Sequence, residues 1–131
     1  MTEPRRLLAV AIAQFVVGVL LLAAVWGVLP ARWWPIDVPF SALALLQLAS
    51  VGALLARKPW ALRLSRVAGW AMLVAGAGLV SALALTVAHL TGLYGPVGQG
   101  GALLMGVIAA LVLPYLVLLP ALQLAWLRAQ R

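Results

Sequence analysis

Between Arg66 and Arg128 the chain carries no residue that is formally charged at neutral pH. A charge-free stretch of that length far exceeds the roughly 20 residues that cross the hydrocarbon core of a bilayer. Three further breaks, at Arg57–Arg66, around Arg32 and Asp37, and at the glycine-rich passage Gly92–Gly101, divide the whole chain into four apolar runs. These predict spans over Leu7–Leu29, Val38–Ala56, Val67–Leu90 and Ala102–Leu127. The expected architecture is an all-α membrane protein, a four-transmembrane-helix bundle forming one domain over residues 1–131.

Composition excludes the main alternatives. The 131 residues are 66% hydrophobic and 8% charged, against about 45–50% and about 25% in soluble domains. A soluble globule of this size could not hide so much apolar surface. A disordered chain would be polar and charge-rich. The net charge of +7 does not indicate a nucleic-acid partner, because the basic residues flank apolar runs and form no groove-lining patch. Cysteine is absent, which removes disulfides, thiolate metal sites and thiol redox chemistry. A single histidine without acidic neighbours in the spans makes no metal site, and no cofactor is implied.

The first run spans 23 residues and ends Val28-Leu29-Pro30. It is longer than a signal-peptide core and lacks a small-x-small cleavage pattern, so it reads as a retained span. Arg5, Arg6, Arg57, Lys58, Arg63, Arg66, Arg128 and Arg131 fall on one side of the four-span arrangement, and Arg32 alone falls on the other. The positive-inside rule then places both termini in the cytoplasm. The expected location is the cytoplasmic (inner) membrane of a bacterium. The basic cluster serves either as a topology determinant or as a contact for anionic headgroups.

Polar residues inside the spans are few. Gln14 lies ~11 Å in from the start of the first span, level with Ser50 on the second, and Gln47 lies one turn further out. A hydrogen bond from Gln14 to the second span is expected. Small residues let membrane helices approach closely. Gly78, Ala82 and Thr86 on the third span, and Ala102, Gly106, Ala110 and Pro114 on the fourth, form stripes expected to face each other. Pro114 and Pro120 each remove an amide donor from the fourth span.

Chemistry, if present, belongs on the side opposite the basic cluster. His89, near the end of the third span, could form a general-base or headgroup site with Asp37 and Tyr94. Arg32 could pair with Asp37, and Trp33 and Trp34 suit interfacial anchoring. Gly95–Gly98 suits a type I turn. Gly98, Gln99, Gly100 and Gly101 open the fourth span, where free amides favour an anion such as a lipid headgroup.

Three functions are consistent with these features. The leading one is a non-catalytic subunit, assembly factor or scaffold of a membrane complex, with lipids and either another membrane protein or further copies of itself as partners. The second is a small transporter or lipid-handling protein with a site in the outer half of the third and fourth spans. The third is an interfacial enzyme acting on lipid headgroups through His89.

Overall fold

The computed structural model describes residues 3–28 and 32–128. The expected end of the first span at Leu29, the adjacent Pro30, and Arg131 lie outside these residues. Among the described residues every regular element is helical: α1 (Glu3–Ala23), a π-helical turn (Ala24–Val28), α2 (Trp34–Leu55), α3 (Ala61–Leu113), a second π-helical turn (Pro114–Leu118) and α4 (Leu119–Arg128). Three continuous helical stretches are long and apolar enough to cross a membrane: Pro4–Gly27, Trp34–Leu55 and Ala61–Arg128.

The third stretch has 68 residues, which would extend for about 100 Å if straight. It is not straight. Gly95 adopts φ 53° and ψ −132°, outside the helical region and open only to a residue without a Cβ. The chain folds back there, and Gly76 lies directly against the Leu116 backbone, where a Cβ would collide with the carbonyl. The anticipated loop between residues 91 and 101 is thereby reduced to one non-helical residue, since Pro96 suits the first turn of the returning arm.

The helices sort into two compact units, Met1–Ala71 with Ala121–Arg131, and Met72–Pro120. In the first unit α1 buries Val10, Gln14, Val17 and Leu21 on one face, at the three- and four-residue spacing of a helix stripe. Gly18 on that face admits Leu48 and the Ala44 carbonyl of α2. The start of α3 contributes Ala61, Ser65 and Ala68, and α4 contributes Gln123, Leu124 and Leu127. Leu124 packs against Gly69.

This arrangement inverts that of a soluble protein. Leu8, Phe15, Leu45 and Leu55 are more than half exposed, whereas Gln14, Ser50 and Ser65 are fully buried. The second unit likewise exposes Leu85, Leu103 and Val97, the last at 85%. Contiguous apolar exposure of this extent matches a lipid surrounding, and the three apolar helices are compatible with a membrane protein.

Two boundaries depart from expectation. α2 begins at Trp34, not Val38, because Pro35 fits the first turn and Asp37 Oδ2 accepts from the Trp33 amide at 3.0 Å. The other end of α2 closes in a Schellman motif, with Arg57 N donating to Leu54 O and Lys58 N to Ala53 O. Arg57 holds φ +50° at the position where glycine is usual.

Candidate functional site

The first unit contains a seam of neutral polar groups connecting three helices. Gln14 of α1 is fully buried. Its Oε1 accepts from Ser50 Oγ of α2 at 2.6 Å, the expected link between the first two spans. Its Nε2 points to the Ser65 carbonyl of α3 at 3.4 Å, and Ser65 Oγ approaches Oε1 at 3.5 Å. Only one amide orientation fits, because a flipped Gln14 would set its oxygen against the Ser65 carbonyl. One turn away Gln47 Nε2 donates to the Ala68 carbonyl at 3.1 Å. A glutamine on each of two helices thus grips the backbone of α3.

Ser50 has a single hydroxyl proton and two acceptors within reach, Gln14 Oε1 and the Gln47 carbonyl at 2.7 Å. The second is local to α2 and keeps Ser50 satisfied whether or not Gln14 is present. Gln47 Oε1 and both amide atoms of Gln123 are buried without a protein partner. Arg66 Nη2 donates to the Leu127 carbonyl at 3.2 Å, at the C-terminal end of α4 where a cation is favourable. Arg128 lies over the Trp70 ring, 5.8 Å from its centroid. Arg66 therefore reaches from α3 to the end of α4.

Such a seam carries no formally charged side chain; its hydroxyls and amides link α1, α2 and α3. Ser65 belongs to it although it did not stand out in the sequence. The available signal was the spacing of Ala61, Ser65 and Ala68 along one helix face.

The proposed catalytic residues are distributed differently. Asp37, in the first unit, is 7% exposed and uses Oδ2 to hold the start of α2. Its expected partner Arg32 instead donates to the Val25 and Trp26 carbonyls, both at 3.1 Å, and stacks on the Trp26 ring at 4.4 Å. Carbonyls near the end of a helix attract a cation, whereas the Asp37 carboxylate is buried at the start of α2 and engaged with the Trp33 amide. Trp26 Nε1 donates to Ser41 Oγ at 3.0 Å, tying the π-helical turn to α2. Trp33 and Trp34 are exposed. His89 and Tyr94 are exposed residues of the second unit.

In the glycine-rich passage Gly98 is buried against Leu90, and a Cβ there would collide with the Leu90 carbonyl. Gln99 and Gly100 are exposed and Gly101 half-buried. Gly100 and Gly101 lie beyond the first turn of the returning arm, so their amides belong to the helical ladder and do not present a free anion site. The small-residue stripes also differ from expectation. Gly78, Ala82, Thr86, Gly106, Ala110 and Pro114 are all exposed, and a Cβ at Gly78 or Gly106 would meet nothing within 4 Å. The close approach within the chain falls on Gly76, because the backbone at Leu116, in the π-helical turn after Pro114, comes closest there. Thr86 Oγ1 donates to the Ala82 carbonyl at 2.9 Å within its own helix. Compared with protein families, with curated proteins and with solved structures, the chain matches none.

Proposed function

We propose that the chain is a four-span protein of the bacterial inner membrane, with both termini and the 57–66 connection in the cytoplasm, acting as a non-catalytic subunit or scaffold of a membrane complex. The observation that carries this reading is the exposure of the small-residue faces. Helix association in membranes depends on close backbone approach at glycine, alanine and threonine. Here those residues, Gly78, Ala82 and Thr86 with Gly106 and Ala110, face outward in the single chain. The chain's own close contacts use Gly98, Gly76, Gly69 and Gly18. The outward faces are therefore free to receive another helix, from a partner protein or a further copy.

The test is gentle extraction of the tagged protein from its native membrane, followed by quantitative mass analysis. A stoichiometric companion, or a defined homo-oligomer, is expected for the wild type. Gly78→Leu and Gly106→Leu should abolish it while leaving abundance unchanged, since neither position is packed within the chain. A monomer indifferent to both substitutions would remove the reading.

A specific feature favours the second reading, transport or lipid handling. The turn Pro114–Leu118 is π-helical, and such turns recur at functional sites because they loosen the backbone ladder. That reading expects Pro114→Ala to abolish function with normal insertion and abundance.

A further inference from the structure

A groove of about 680 Å³ opens at the basic end of the first unit, between the first turns of α1, the last turn of α2 and the start of α3. Its volume lies within the ~300–1,000 Å³ typical of small-molecule sites. Leu7, Leu8, Leu54 and Leu62 form apolar walls, and Arg57 and Lys58 stand on the rim. We propose that this groove binds one anionic phospholipid, with an acyl chain along the leucines and the phosphate held between the Arg57 and Lys58 side chains.

Two observations support the assignment. The first is charge complementarity, because two cations, Arg57 and Lys58, are among the residues lining the groove. A free anion would need no apolar wall, and a neutral lipid would leave both cations uncompensated. The second is the backbone of Arg57, which occupies a left-handed conformation at φ +50°. Glycine would close the same Schellman motif without the steric penalty of a Cβ. The motif instead sets consecutive cations, Arg57 and Lys58, on the groove rim. Arg63, although on the same connection, is exposed and lies outside the groove. The inference requires the chain to sit in a bilayer but needs no protein partner, so failure of the scaffold reading leaves it standing.

The experiment uses the full chain in mild detergent, mixed with equal amounts of phosphatidylglycerol and phosphatidylcholine bearing identical acyl chains. Native mass spectrometry then counts retained lipid. The wild type should retain a single phosphatidylglycerol in preference to phosphatidylcholine. Arg57→Gln and Lys58→Gln should each reduce that retention about fivefold, the effect of one basic residue near an anionic surface. Arg63→Gln should leave retention unchanged. Leu8→Trp, which fills the groove without altering charge, should reduce retention of both lipids. Arg57→Gly guards against misfolding, because it relaxes the backbone while removing the charge and should lose lipid as Arg57→Gln does. Equal retention of the two lipids by the wild type would overturn the proposal. So would an Arg63→Gln loss as large as that of Arg57→Gln, which would mean diffuse attraction to the basic connection.

Discussion

Removing the hydroxyl of Ser50 should destabilise the protein more than removing the whole amide of Gln14. The two groups meet at 2.6 Å, yet their fates after substitution differ. In Ser50→Ala, Gln14 Oε1 keeps only the 3.5 Å approach of Ser65 Oγ, too long for a good hydrogen bond. A buried acceptor left in that state costs about 1–3 kcal/mol, and interhelical bonds in membranes average about 0.6 with a maximum near 1.7. We expect about 1.5 kcal/mol for Ser50→Ala. In Gln14→Leu, Ser50 Oγ turns its proton to the Gln47 carbonyl at 2.7 Å, and the Ser65 carbonyl keeps its helical partner. Replacing the amide by an apolar group of similar size should therefore cost less than about 0.5 kcal/mol. In the Gln14→Leu background Ser50→Ala should become nearly silent, giving a coupling of about 1.5 kcal/mol. The chain has no cysteine, so a single Val17→Cys, at a position 2% exposed, reports unfolding through its thiol accessibility in bicelles. A larger cost for Gln14→Leu than for Ser50→Ala, or an undiminished Ser50→Ala effect in the double variant, would refute this account of the seam.

Gly76→Ala should lower the thermal midpoint in detergent, with a loss of about 1–3 kcal/mol for overpacking, since its Cβ meets the Leu116 carbonyl. Gly78→Ala, two residues away with open space around it, should instead be neutral or gain up to about 1 kcal/mol of helix propensity. At the reversal, Gly95→Ala should cost about 1–3 kcal/mol. Gly95→Asn should not rescue it, because ψ −132° lies outside the left-handed basin that asparagine tolerates; parallel denaturation of the two variants checks this. Arg57→Gly should leave the unfolding midpoint at or above that of the wild type, measured on the same lipid-free sample whose Arg57→Gln counterpart shows no such gain.

Much of the first unit was legible because helix rise is fixed. Counting residues from the basic end placed Gln14 level with Ser50, and the structure joins them. The same counting could not identify Ser65, since it lies in the arginine-bearing connection 57–66, outside the expected spans. The small-residue faces illustrate a different limit. Gly76 and Gly78 are chemically identical and differ by about 200° around the helix axis, so local sequence cannot select between them. The selection is made by the backbone at Leu116. Arg32 shows a third limit: pairing by opposite charge suggested Asp37, but two helix-end carbonyls and an indole ring lay within reach, and they hold the guanidinium.

The central claim is the four-span arrangement with the basic end in the cytoplasm, and cysteine accessibility in native membranes tests it most directly. Single cysteines at Pro4 and Trp60, which the proposed topology puts on the cytoplasmic side, and at Trp33 and Val97, which it puts on the other, each replace an exposed residue without removing a charge. With a membrane-impermeant maleimide, Trp33→Cys and Val97→Cys should label once the outer envelope is opened. Pro4→Cys and Trp60→Cys should label only after the inner membrane is permeabilised. Labelling of Val97→Cys together with Trp60→Cys on one side of the membrane, or of all four sites alike, would contradict the account.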